Sequence, residues 1–80
     1  MSDLTSYRNK VVEISQKAKA CDDAKDYEQA YYHYKEALQI WIHLIKFEKN
    51  DNLKAVYSEK MESMFKRAEY IKKNALNAPE

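Results

Sequence analysis

The 80-residue chain has no glycine, one proline and one cysteine. Each shortage removes a class of structure or chemistry. Tight hairpin turns lean on Gly, Asn-Gly or Pro, so a sheet of short strands has no punctuation here. A phosphate-cradling loop needs glycine backbone, so that mode of nucleotide binding is excluded. Cys21 has no second thiol with which to form an internal disulfide or a thiolate zinc site, and it fits a reducing compartment. Charge of one sign is also missing: 14 basic residues face 13 acidic ones, a net +1, which gives no field for nucleic acid or an anionic membrane. No apolar run approaches the length of a membrane span, and the opening MSDLTSYRNK lacks the apolar region of a signal peptide. The reading is one small cytoplasmic domain with a modest core, residues 1–76, whose tail from 77 to 80 starts a linker within a longer protein.

What is abundant is helix-forming: Ala, Glu, Lys, Leu, Gln and Met. Leu4, Tyr7, Val11, Ile14, Ala18 and Cys21 alternate three- and four-residue steps, which predicts a first helix over about 4–24. Ser2, Asp3 and Thr5 are its candidate caps. Asp26 then reads as an N-cap with Gln29 at capping-box spacing. The second helix, about 27–48, carries a stripe of Tyr27, Ala30, Tyr34, Ala37, Trp41 and Leu44. A second stripe of Tyr31, Leu38, Ile42 and Ile45 lies beside it, so its apolar face is wide enough to touch more than one neighbour. Asn50, Asp51 and Asn52 break the chain again, and Leu53, Tyr57, Met61, Met64, Ala68, Ile71 and Ala75 predict a third helix over about 53–76. Short connections make successive helices antiparallel neighbours, so the expected fold is an all-α, up-down-up three-helix bundle. Tyr27, Tyr34 and Trp41 are expected in the core with the tyrosine hydroxyls at its edge, and Tyr32 in solvent.

Catalytic chemistry is not encoded. His33 and His43 are ten residues apart and do not share a helix face, so they do not chelate one metal together. No carboxylate pair accompanies a nucleophile, and Asp22-Asp23 beside a helix end reads as a solvated turn. No cofactor is expected. What remains is a binding surface. Leu38, Ile42 and Ile45 on the second helix and Phe65 on the third exceed what one stripe per helix buries, and they could border a groove that an amphipathic peptide helix fills.

Three segments carry a resemblance: Tyr27-Glu28-Gln29-Ala30, Lys46-Phe47-Glu48 and Arg67-Ala68-Glu69. In register over roughly residues 4–76, they resemble the MIT (microtubule-interacting and trafficking) domain family. Within it they are most similar to the N-terminal domains of vacuolar protein sorting AAA ATPases that disassemble ESCRT-III polymers. The resemblance implies a monomeric binding module whose partner is the C-terminal helix of an ESCRT-III subunit, the first type of MIT-interacting motif. That helix would lie between helices two and three, on Leu38, Ile42, Ile45, Met61, Phe65, Ala68, Glu69 and Lys72. Phe65 stands where the family usually has leucine, Ala68 would allow close approach, and Glu69 would receive a ligand arginine. Lys66 replaces a second acidic position and would repel that arginine. Some members bind an extended, proline-containing motif between helices one and three; Ser15 and Lys19 at the matching apolar positions disfavour it here. The family implies a location in the cytoplasm, with recruitment to ESCRT-III-coated endosomal or other membranes only through the partner. A tetratricopeptide-like adaptor would explain Tyr27-x-x-Ala30 and Tyr34-x-x-Ala37-Leu38, but no 34-residue period recurs.

Overall fold

The computed structural model describes residues 4–76, so Ser2, Asp3 and the proposed linker at 77–80 lie outside the described residues. Helix α1 spans Leu4–Asp23, α2 Tyr27–Phe47 and α3 Asp51–Asn74, with no strand among the described residues. Tyr7 stacks on His43 while Asp22 meets Tyr34, so α1 and α2 run antiparallel. Arg8 meets Tyr57 and Ser15 meets Met64, so α3 runs parallel to α1. This is the expected up-down-up bundle.

The turns show how the chain manages without glycine. After α1, Lys25 N–H donates to the Asp22 carbonyl at 3.0 Å and Asp26 N–H to the Cys21 carbonyl at 2.8 Å. That pair of bonds is a Schellman ending, and it puts Lys25 at φ 63°, the left-handed region that glycine normally fills. Asp26 caps α2 by accepting from Gln29 N–H, at a long 3.4 Å. The return arm of a capping box has nothing to bind, because the Asp26 N–H is already held by Cys21. Asn50 caps α3 through bonds from Asn52 N–H at 2.9 Å and Leu53 N–H at 3.1 Å, so α3 starts at Asp51, two residues before the expected position. α2 stops at Phe47 because Glu48 turns to extended backbone at ψ 131°. Thr5 falls inside α1 rather than before it.

The expected stripes make the core. Val11, Ile14, Ala37, Trp41, Leu44 and Tyr57 form one cluster, and Ala18, Ala30, Tyr34, Ala68 and Ile71 the other. At the stripe ends Tyr7, Leu53 and Ala75 emerge into solvent. Ile40, outside both sequence stripes, packs against the first cluster.

The three helices are not equally close. No Cα of α1 comes within 8 Å of a Cα of α3; both pack on α2, and α1 and α3 meet through long side chains. Arg8 of α1 donates to Glu48 Oε1 at 3.0 Å and, through Nε, to the Tyr57 hydroxyl of α3 at 2.8 Å; Tyr57 O–H in turn donates to Glu48 Oε1 at 3.2 Å. At the other end Arg67 of α3 grips Asp22 of α1 with both prongs, 2.7 and 2.6 Å, and Tyr34 O–H of α2 donates to the same carboxylate at 2.9 Å. Asp22 is therefore a sheltered clamp and not a solvated turn; its neighbour Asp23 is the exposed one, 4.0 Å from Lys19.

These contacts set the ionisation. The Arg67 fork holds the Asp22 carboxyl below the usual aspartate range, and the Asn50 N–H, then Arg8, do the same for Glu48. Burial, reinforced by the bond to Asp22, pushes the Tyr34 hydroxyl up to about 12. A lowered carboxyl contributes stability that is complete above its unfolded value and is lost as pH falls through the folded one. Stability should be flat near neutrality and decline below the ordinary carboxyl values of 3.8 and 4.5. Asp22→Asn should cost about 1–2 kcal/mol at pH 7, since Arg67 remains half-exposed, and should shrink the acid decline measured by urea unfolding from pH 7 to 2.5. Lys25→Gly should stabilise the domain by about 0.5–1 kcal/mol in the same assay, because relieved left-handed strain exceeds the entropy gained by the unfolded chain.

Candidate functional site

Two long surfaces remain after the core is closed. The first lies on α2 and α3, away from α1. On α2 the stripe of Tyr31, Leu38, Ile42 and Ile45 turns to the side opposite Tyr7-facing His43. Ile42 is 56 % exposed, Leu38 and Ile45 are half-buried, and Ile45 packs on the core beneath. On α3 the step of four from Met61 to Phe65 to Glu69 keeps these residues on one face. Met61 packs on the core, Phe65 is 52 % exposed, Glu69 is half-buried and Lys72 is exposed. Two large apolar side chains on adjacent helices are thus offered to solvent above a half-buried apolar base. Glu69 forms no ion pair among the described residues, whereas Lys66 lies 3.8 Å from Glu62 and is partly neutralised by it. Ala68 belongs elsewhere: at 2 % exposure it packs in the core with Ala18 and Ala30, beneath this face rather than on it.

The second surface is the slot between α1 and α3. It has a cavity volume of about 860 Å³. Its floor is α2, through Tyr34 and Trp41, and the Met64 side chain lies over that floor. One wall is Val12, Ser15, Gln16 and Lys19 of α1; the other is Lys60, Ser63 and Arg67 of α3. The Arg67–Asp22–Tyr34 clamp lies at one end. Four cations, Lys19, Lys25, Lys60 and Arg67, line it against two carboxylates, Asp22 and Asp23. Sequence reasoning gave this slot little weight because Ser15 and Lys19 are polar. The apolar surface comes instead from α2, whose rings reach through the gap, and a helix-by-helix reading assigns those rings to a closed core.

Among the described residues no three His, Cys, Asp or Glu side chains gather as a metal site. His33 sits 3.3 Å from Glu36, and His43 stacks between Tyr7 and Phe47 with centroids at 4.1 and 4.7 Å. Among those residues no helix is long and apolar enough to cross a membrane.

With this geometry in hand, comparison with known families is informative. The family model of the MIT (microtubule interacting and transport) domain matches residues 9–73, and the chain belongs to that family. A domain of this family is a protein-interaction module.

Proposed function

We propose that this MIT domain docks an amphipathic peptide helix, the C-terminal helix of an ESCRT-III subunit, across α2 and α3. It would thereby recruit a parent AAA ATPase to cytoplasmic ESCRT-III assemblies on endosomal or other membranes. The observation that carries this reading is the pair Ile42 and Phe65, each more than half exposed on neighbouring helices above half-buried Leu38, Ile45 and Met61. An amphipathic helix presents anchors at three- and four-residue steps, the spacing that this surface also uses. Burying one such side chain is worth about 1.5–3 kcal/mol, and a short peptide must also order as it binds, so the affinity is modest. Glu69 would receive a ligand cation. Other parents of MIT domains, a microtubule-severing ATPase or a kinase, would use the same surface with a different partner. The tetratricopeptide alternative gives way to the family match over residues 9–73.

The open slot favours a second reading for the other side of the bundle. Its walls are parallel, its rim is basic and its floor is aromatic, which suits an acidic segment in extended conformation.

Chemical-shift mapping with a leucine-striped, arginine-bearing helical peptide tests the first reading. Saturable shifts are expected over residues 38–45 and 61–72. Phe65→Asp should weaken binding by roughly 30-fold or more, the equivalent of about 2 kcal/mol, while the circular dichroism stays helical. If the variant unfolds, Phe65 is structural and the docking face is misplaced. Glu69→Lys should weaken the same peptide several-fold, and unchanged affinity would remove Glu69 from the site. For the second reading, a proline-containing acidic peptide should shift residues 12–23 and 60–67; silence there would reject it.

A further inference from the structure

Among the described residues, Met64 is the methionine whose sulfur has polar neighbours. The Trp41 indole N–H donates to Sδ at 3.2 Å, and the Ser15 hydroxyl stands 3.7 Å from the same atom. Ser15 directs its single proton to the Val11 carbonyl at 2.5 Å, so its approach to sulfur is loose. Trp41 is 5 % exposed, and a thioether is a weak acceptor, so this buried donor is poorly matched. Met64 is half-buried and lines the α1–α3 slot together with Ser15 and Trp41. It also packs against both core clusters. Met61 packs on the first cluster alone and is not among the lining residues of that slot.

We propose that Met64 is a reversible oxidation site, converted by a hydroperoxide to one epimer of methionine sulfoxide while the bundle stays folded. The proposal needs no ligand and is independent of both docking readings. The step balances with the peroxide alone. A sulfur lone pair attacks the outer oxygen of the hydroperoxide, the O–O bond breaks and an S–O bond forms. Sulfur is oxidised by two electrons and the peroxide is reduced. The departing oxygen keeps the bonding pair, takes the proton of the transferred oxygen and leaves as water or an alcohol. Access is the first argument: the slot opens to solvent at this side chain, which the core does not seal. Handedness is the second. The indole N–H occupies one lone pair of Sδ, so attack uses the other, and a single configuration at sulfur results. Accommodation is the third. A sulfoxide oxygen in an apolar core lacks partners and disrupts packing. Here it would form beside two donors, the Trp41 N–H and the Ser15 O–H, which turns its proton from Val11 to the stronger new acceptor. The Val11 carbonyl keeps its helical bond, and the unbranched methionine side chain adjusts its rotamer to fit. Oxidation thus places a dipole in the slot floor and leaves no polar group unpaired.

The probe is hydrogen peroxide on the intact chain, with methionine labelled at its methyl carbon for NMR. The Met64 methyl signal should give way to a single sulfoxide signal ahead of the Met61 signal. Tandem mass spectrometry places the added oxygen within the tryptic fragment 61–66 that holds both residues. Trp41 is the single tryptophan, so its indole N–H resonance should move in step with the Met64 signal as its acceptor changes. Met64→Leu should abolish that movement. Reductases specific for the two sulfoxide epimers read the configuration: one should restore the Met64 signal and the other leave it oxidised. Ser15→Ala should lower the folding constant of the oxidised protein about five-fold more than that of the reduced protein, the factor that one net hydrogen bond gives. Two epimers in equal amounts at residue 64, loss of helical circular dichroism on oxidation, or a Met64 signal that outlasts Met61 would each overturn the inference. So would an equal effect of Ser15→Ala on both forms. If Ser15→Ala fails to fold, the epimer assay on the wild-type chain decides.

Discussion

The arrangement depends on two carboxylates that hold together helices whose backbones never approach. Glu48 collects Arg8 from α1, Tyr57 from α3 and the Asn50 N–H of the turn; Asp22 collects Arg67 from α3 and Tyr34 from α2. Each clamp therefore ties three elements at one end of the bundle. Exposed ion pairs contribute little, but these carboxylates are about nine-tenths sheltered and carry two or three donors each. Their position matters as much as their strength. With both in place α1 and α3 are fixed in register, parallel and apart, and sheltered carboxylates that must meet specific partners disfavour sliding.

The gap has a steric cause. Tyr34 and Trp41 are one heptad apart on α2 and point between the outer helices, where an aliphatic pair would let α1 and α3 close. The small residues lie where backbones must come near α2: Ala30 and Ala37 on α2 itself, Ala18 on α1, all fully buried. Large rings toward the gap and alanines toward the neighbours make α2 the central helix. The same choice leaves a slot whose floor is apolar even though its walls are polar.

Much of this was legible in sequence. The 3.6-residue period located three helices and nearly every buried position, and Asp26 and Asn50 announced the turns. Phe65 stood out because it lies off its stripe among Glu62, Lys66 and Glu69, and it is exposed. The clamps were not legible. Their arginines lie 40 to 49 residues from the groups they bind, and nothing local marks an arginine or aspartate that will meet across the bundle. Asp22 was misread for that reason: an acidic residue near a helix C-terminus opposes the dipole and looks like a turn residue, until Arg67 from another helix compensates it. Periodicity also says which residues face inward, not how far apart two axes lie, so the slot could not be anticipated.

Arg67, Ala68 and Glu69 show what such motifs encode. Three successive residues on a helix are each turned by about 100°, and these three enter the clamp, the core and the outer face in turn. In the other two motifs, Ala30 is core and Glu48 is clamp. Most of these motif residues thus build the scaffold, while Tyr27 lines the slot and Glu69 lies half-buried on the α2–α3 face with no ion-pair partner among the described residues. Phe65 and Lys66 on one surface, and Trp41 with Ser15 and Lys19 on the other, lie outside those motifs. On the proposed reading, selection of a partner would fall to residues outside these motifs, held in place by residues within them.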